Sequence, residues 1–481
     1  MSIDTVQRQS ITTFIWQIAI TFIGFFSTVY IVRTAGTNVL GGYFILLAYL
    51  GIIGMISDGG FGGAAIKRIS EGEEPDAYFS AFLVLRSVYI TLTIIAIIVF
   101  RDYFVDLNNT GTFYWFLLAL IIYLLHGATL IGIIGSGKIG INATAGFINN
   151  VSRIVIQVVA VFLGYGFAGL AGGFIIGMLV GFLIHLRFFD LHLVHFGWKH
   201  IKSLLTFSLW VFLISSGITV FSTSDTIMIG YYLNNNDVSV YRIVLQLTTL
   251  ASFTSIALIS TLYPKVSRWG KTGETTLIEK SLTHAFTYSF ILVAPMVAGG
   301  VLLGDKLLYY FYGSEFIEGY MTLLLLFIVQ IISVFSVFFS SYLTALEHLK
   351  TLFKITMIAA ITNIALNALL IPIIGIAGAA IATLVTIGIN TSLSWIVISK
   401  IIKVDVNVKS LLNILKATAI MSFFVGIYRT FIPLTDIWLT LIPVGFGVII
   451  YSILVLKFDR TAFEELNKIM TQMNIMLPKW L

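Results

Sequence analysis

Residues 345–384 read ALEHLKTLFKITMIAAITNIALNALLIPIIGIAGAAIATL. After Lys354 no charged residue occurs until Lys400. Two apolar runs, 351–371 and 375–398, meet at the short Pro-Ile-Ile-Gly segment 372–375. Each run is close to the roughly 20 residues that a helix needs to cross a bilayer. Beyond Lys354 neither run carries a charge, where a surface helix of a soluble protein has a charged or polar face. The stretch therefore reads as two consecutive membrane spans.

The same reading extends in both directions. Fourteen windows qualify: 9–32, 38–57, 79–100, 113–134, 142–163, 165–187, 204–231, 237–262, 281–304, 318–344, 351–371, 375–398, 409–430 and 436–456. Composition agrees. Of 481 residues 58% are hydrophobic and 10% are charged, against about 25% charged in soluble domains. Mean hydropathy is +1.00. The fold class is an all-α polytopic membrane protein of about 14 helices.

Orientation follows from the Lys/Arg count in short connections. With the N-terminus inside, the inner segments hold 20 of the 28 basic residues and the outer ones hold four, Arg33, Arg101, Lys306 and Arg429. The other four, Arg86, Arg153, Arg242 and Lys416, fall within spans. Both termini are expected in the cytoplasm, with the chain in the cell (plasma or inner) membrane. Asp4 precedes the first run and no small-residue cleavage site follows a short core, so that run reads as a retained span.

The chain contains no cysteine, which excludes disulfides, thiolate nucleophiles and Cys-ligated metals. Its seven His form no HExxH pair. No connection exceeds about 25 residues, by the span windows above, so there is no room for the large outer loop of a membrane glycan polymerase or ligase. Basic residues are dispersed among loops, which gives a nucleic-acid partner no support. The chain is read as a transporter, not an enzyme.

A repeat is visible. An offset of 198 places Thr28 on Thr226, Tyr43 on Tyr241, Lys67 on Lys265 and Gly72 on Gly270. Further along, an offset of 209 places Gly166, Ala168 and Gly169 on Gly375, Ala377 and Gly378. Spans 1–6 and 7–12 thus form two six-helix lobes in parallel repeat, with two extra C-terminal helices. The expected division is 1–203, 204–400, 401–457 for spans 13–14, and 458–481 as an interfacial cytoplasmic tail helix opened by the capping box of Thr461 and Glu464.

Several motifs carry a family resemblance. Residues 30–70 contain Arg33, Gly36, Gly41, Tyr43, then a span ending Asp58-Gly59, then Lys67-Arg68. Residues 222–247, from the seventh span into the eighth, offer Asp225, Gly230 and Tyr241, and the opening stretch offers Asn363, Asn367, Pro372, Gly375, Gly378, Ala379 and Ala380. Together they resemble the polysaccharide-transporter, O-antigen flippase-like branch of the multidrug/oligosaccharidyl-lipid/polysaccharide exporter superfamily. The resemblance implies an alternating-access flippase that moves a lipid-linked oligosaccharide, on a polyprenyl phosphate or pyrophosphate, from inner to outer leaflet. A lipid II flippase and a drug or cation antiporter of the same superfamily are the alternatives. The implied partners are the lipid-linked glycan, membrane lipids and glycan-assembly machinery, with the chain acting as a monomer. No cofactor is expected, and coupling to an ion gradient is left open as to the ion.

Ionisable residues inside spans cost about 2.5–3.5 kcal/mol at the helix centre on insertion scales. The most polar span is the fifth, where Asn142, Gly146, Asn149 or Asn150, Arg153 and Gln157 share a face. Gln17 on span 1 and Arg242 with Gln246 on span 8 form lesser polar faces. A carrier of a phosphate-linked lipid needs Arg, whose planar fork suits phosphate, whereas a cation exporter needs acids. The candidate substrate contacts are therefore Arg153, Arg86, Arg242, Asn149, Asn150, Gln157, Gln17 and Gln246. Asp225, Arg242, Arg33 and Asp58 are candidate gate or ion-pair residues. The Ser, Thr and Gly positions read as helix-packing positions.

Overall fold

A computed structural model of the chain describes residues 3–103 and 112–459. The expected tail helix lies outside the described residues. Among those described there are sixteen α-helices and no strand: α1 Ile3–Ala35, α2 Thr37–Asp58, α3 Phe61–Ser70, α4 Pro75–Val99, α5 Phe113–Gly135, α6 Ile139–Phe162, α7 Gly166–Arg187, α8 Trp198–Tyr232, α9 Asn235–Thr249, α10 Phe253–Thr272, α11 Thr275–Tyr312, α12 Tyr320–Ala345, α13 Leu349–Ile374, α14 Ile376–Ile398, α15 Val408–Phe431 and α16 Ile437–Phe458. Thirteen helical segments are long and apolar enough to span a membrane, with α9 and α10 counted as one, and α1 adds the apolar stretch Ala19–Ala35. All fourteen expected windows therefore coincide with helices.

The second span departs from the expectation in its ending. It stops at Gly59 and Gly60, both left-handed at φ 56 and 78, and a separate ten-residue helix, α3, follows. Two consecutive left-handed residues are a conformation that glycine adopts without steric cost. Gly60 is also required by contact, since a Cβ there would lie 2.2 Å from the Ser208 carbonyl oxygen of α8. The eighth span is broken similarly, by a 3₁₀ turn at Leu250–Ser252 between α9 and α10.

Helix packing repeats with the sequence. In the first copy α7 packs on both α5 and α6, and α3 packs on both α4 and α5. In the second copy α14 packs on α12 and α13, and α10 on α11 and α12. The left-handed turn residues Gly137 and Glu347, like the helix starts Ile139 and Leu349, are separated by the same offset of 210.

By contact density the chain forms two compact units, Met1–Ser239 and Val240–Leu481. These units and the sequence repeat divide the chain differently. Helix α8 opens the second copy, yet it packs on α2, α3 and α4 of the first. In the second unit α15 and α16 are tied to α11. Arg429 makes a two-pronged ion pair with Asp305, at 3.1 and 2.9 Å, and the Tyr310 and Tyr451 hydroxyls donate to the Leu434 and Ile291 carbonyls, each at 2.7 Å.

The acids that follow the Lys67-Arg68 pair fasten connections. Glu71 pairs with Arg68 at 2.8 Å. Asp76 accepts from the His192 amide at 2.9 Å, and the Ser80 hydroxyl accepts from the Val194 amide at 3.0 Å. Glu74 joins Lys199 and His200, at 2.5 and 2.9 Å. Hydrogen bonds from Lys199 and His200 hold the Glu74 carboxyl below the usual carboxylate range. A carboxylate with a lowered folded-state pKa contributes stability above its unfolded pKa, and that contribution is lost as pH falls through the folded value. A spin label on a cysteine placed at exposed His195 should therefore gain mobility on acidification below about pH 4. Glu74→Gln should give the mobile spectrum already at neutral pH. An identical acid step in the Glu74→Gln variant would assign the loosening to another group.

Candidate functional site in the first unit

The polar face of α6 meets a row of glycines. Asn149, Arg153 and Gln157 recur every four residues on α6, and Gly173, Gly177 and Gly181 recur every four on α7, so each set lies on one face. The two faces touch. A Cβ at Gly177 would lie 2.8 Å from both the Arg153 Cβ and the Asn149 Oδ1. At Gly173 it would lie 2.6 Å from the Gln157 Cγ, and at Gly181 3.0 Å from the His126 Cε1 of α5. Glycine lets the α7 backbone close onto the polar row, as small residues do in membrane helix pairs.

Gln157 is buried, and its amide donates to the Leu170 carbonyl of α7 at 2.8 Å. Its hydrogen bond ties helix to helix. Asn150 donates back to the Gly146 carbonyl at 2.8 Å. Arg153 is half-buried, and its Nε has no hydrogen-bond partner among the described residues. The hydroxyl of Tyr43, a buried residue of α2, lies against the Arg153 and Gln157 side chains. Among the described residues no carboxylate forms an ion pair with Arg153.

Arg86 is placed differently. It is 4% exposed, and its Nη1 lies 3.2 Å from the Asp58 Oδ1. Asp58 also accepts from the Gly62 amide at 3.1 Å, so one carboxylate holds both the α2–α3 break and the Arg86 charge. The guanidinium lies over the Phe82 ring, 5.6 Å from its centroid. It is admitted against α5 by Gly127, where a Cβ would lie 2.2 Å from Nη2. By sequence Arg86 and Arg153 are both span cations and Asp58 is a candidate ion-pair residue. The structure gives Arg86 its acid from the end of α2.

One further pair occupies the same helices. His126 of α5 and His185 of α7 stack with ring centroids 5.3 Å apart and planes 5° from parallel. His185 continues the four-residue row of Gly173, Gly177 and Gly181. The site thus brings together Asn149, Arg153, Gln157 and Tyr43, and the His126–His185 pair lies beside it, next to Asn149 at Gly181. The row spacing was a signal for His185 that span-by-span reading missed, because the residue sits in the last turn of α7.

The remaining candidates lie elsewhere. Arg33 is exposed in the last turn of α1, and the side chain of Gln17 lies outside the described residues. Asp225 is buried on α8 in the first unit. Arg242 is half-buried and Gln246 exposed on α9, both in the second unit. Among the described residues no group of three or more His, Cys, Asp or Glu could hold a metal ion.

This arrangement of membrane helices is shared with solved transporters. The fold matches that of the lipid II flippase MurJ in an inward closed conformation, with TM-score 0.79 and 19% identity over 94% of this chain and 100% of that one. It also matches an inward-facing multidrug resistance MATE family transporter of the MOP superfamily, with TM-score 0.61 and 14% identity over 79% and 95% of the two chains. At the sequence level, the polysaccharide biosynthesis protein family matches residues 6–269. A probable low-salt glycan biosynthesis flippase of Haloferax volcanii, Agl15, is 30% identical over 329 residues, covering 66% of this chain and 68% of the relative. The chain belongs to the polysaccharide biosynthesis protein family.

Proposed function

We propose that this chain is a flippase for lipid-linked oligosaccharides, carrying a polyprenyl phosphate or pyrophosphate head group from the inner to the outer leaflet by alternating access. The observation that carries the reading is Arg153, a cation in the middle of a membrane helix with no carboxylate partner among the described residues. Such a charge is expensive in a bilayer and marks a ligand path. A phosphate or pyrophosphate supplies the missing counter-charge and accepts the guanidinium's paired N–H groups.

The repeat supports a role beyond folding. With the offset of 210, Arg153 corresponds to Asn363 and Gln157 to Asn367. Both asparagines are fully buried, and Asn367 donates to Asn363 at 3.0 Å. The same position in the same packing is therefore filled by a neutral side chain, so the fold does not call for a cation there. The relative Agl15 is named as a glycan biosynthesis flippase, which favours a glycan cargo over a drug. In the second unit, a groove of about 400 Å³ between α15 and α16 is lined by Phe424, Val425, Phe431, Ile442 and Phe446. Its apolar walls suit a hydrocarbon chain.

The test is translocation by the purified chain in proteoliposomes, using a fluorescent saccharide on a short polyprenyl pyrophosphate and an impermeant quencher outside. Protein-dependent change in quenchable probe supports the reading, and no change over protein-free vesicles overturns it. Direction depends on orientation. In whole cells a cysteine at exposed Asn236 should label with an impermeant reagent, and one at exposed Thr272 should not. The reverse pattern would invert the transport direction.

A further inference from the structure

The stacked imidazoles of His126 and His185 lie inside the first unit. Neither nitrogen of His185, which is 1% exposed, has a hydrogen-bond partner among the described residues, and neither does Nδ1 of His126. Buried polar atoms without partners cost stability and call for an explanation. Packing alone does not supply one. With the offsets of 210 and 209, the second copy carries Ser336 and Ser394 at these positions, both buried in the equivalent packing of α12 against α14. Two small side chains fill the place, so the helix trio forms without imidazoles.

We propose that the His126–His185 stack is a single-proton site within the membrane, and that its occupancy is linked to head-group loading at Arg153. The link rests on the flippase reading above, while the proton site itself does not. Histidine is the side chain whose unperturbed charge change falls near neutral pH, and burial favours its neutral form. Two imidazolium rings 5.3 Å apart would repel strongly, so the pair takes one proton and titrates as a unit.

The surrounding charges set the sense of the link. Arg86 faces the pair from α4 as a cation paired with Asp58 at the end of α2. Tyr123 lies one turn before His126 on α5, and Tyr43 comes from α2. From α6 come the uncharged Asn149, beside His126 at Gly181, and then Arg153 one turn on. The basic residues of α3, Lys67 and Arg68, sit in its last turn. With Arg86 paired to Asp58 and no carboxylate on Arg153 among the described residues, the site without cargo is cationic and opposes a further positive charge. An anion on Arg153 reverses that balance and favours the protonated pair. By reciprocity, protonation of the pair tightens the hold on the anion.

The test has two arms on the full chain. In nanodiscs, first without cargo and then with a short polyprenyl pyrophosphate, the imidazole ¹⁵N signals of His126 and His185, assigned with His126→Ser and His185→Ser, are followed from about pH 4 to 8. The expected result is one proton taken up by the two rings together, at higher pH with the pyrophosphate than without it. In His185→Ser the remaining His126 should titrate about one unit or more away from its wild-type position. Two rings that stay neutral throughout, or that titrate independently, overturn the site. In proteoliposomes, the wild-type translocation rate should depend on pH, by up to about tenfold per unit for a one-proton linkage. The double variant His126→Ser/His185→Ser should retain translocation with a flattened profile. An unchanged profile in the double variant overturns the link. Absence of translocation in the wild type overturns the flippase reading and the link with it, while the ¹⁵N titration still decides the proton site.

Discussion

Arg153→Gln should abolish translocation while leaving the protein folded. The guanidinium is a cation of the α6–α7 interface with no carboxylate partner among the described residues, and a two-pronged charge-assisted contact to phosphate contributes about 2–4 kcal/mol. Its removal should lower the translocation rate by roughly 30- to 1,000-fold. Stability should move little or rise, because the variant removes a charge from a bilayer position and leaves an amide where the second copy carries Asn363. Arg153→Lys should recover only part of the rate, since an ammonium offers a point charge in place of the planar fork. The measurements are the proteoliposome assay and thermal unfolding of the same samples in detergent. Full activity of Arg153→Gln would return Arg153 to a residue that only packs against α7. Loss of folding in that variant would equally contradict the argument from Asn363.

What was legible in the sequence follows from the physics of the bilayer. A spanning helix must be about 20 residues long and satisfy its backbone internally, so windows such as 375–398 and 409–430 fell within a residue of α14 and α15. Helix α3 was not legible, because FGGAAIKRIS is short, Gly-rich and basic at its end, and its helicity depends on packing against α4, α5 and α8. The polar row of Asn149, Arg153 and Gln157 was readable because four-residue spacing holds along any helix. Its partner row of glycines obeys the same spacing, but only the structure shows that the two rows meet. The Arg86–Asp58 pair was hidden for a different reason. Asp58 falls at the end of α2, and Arg86 is 28 residues on, in the middle of α4. No periodicity within one helix reports a contact that depends on how two helices and a glycine break are arranged. Sequence reading marked Asp58 as an ion-pair candidate without naming Arg86 as its partner.

That pair provides the second large expected effect, on stability instead of transport. Asp58→Asn leaves the Arg86 guanidinium 4% exposed without its counter-ion and weakens the acceptor of the Gly62 amide. Breaking a buried ion pair from one side costs about 3–5 kcal/mol. The Asp58 side chain is 27% exposed, and water there screens part of the interaction, so a smaller loss, about 2–3 kcal/mol, is expected. Arg86→Met in the same chain should recover most of that loss. The double variant buries an apolar side chain over Phe82 and leaves no orphaned charge, and replacement of a whole buried pair by apolar residues is often neutral or stabilising. Thermal unfolding of the two single variants and the double variant gives the cycle, and additive single effects would show that the two charges do not interact. Transport separates the two roles open to Arg86. If the residue only fastens α4 to the α2–α3 break, Asp58→Asn/Arg86→Met should translocate near the wild-type rate once refolded stability is restored. If Arg86 also grips the head group, the double variant should be stable and inactive. The ion pair, and the charge it already satisfies, argue for the first outcome and leave Arg153 as the cation that meets the cargo.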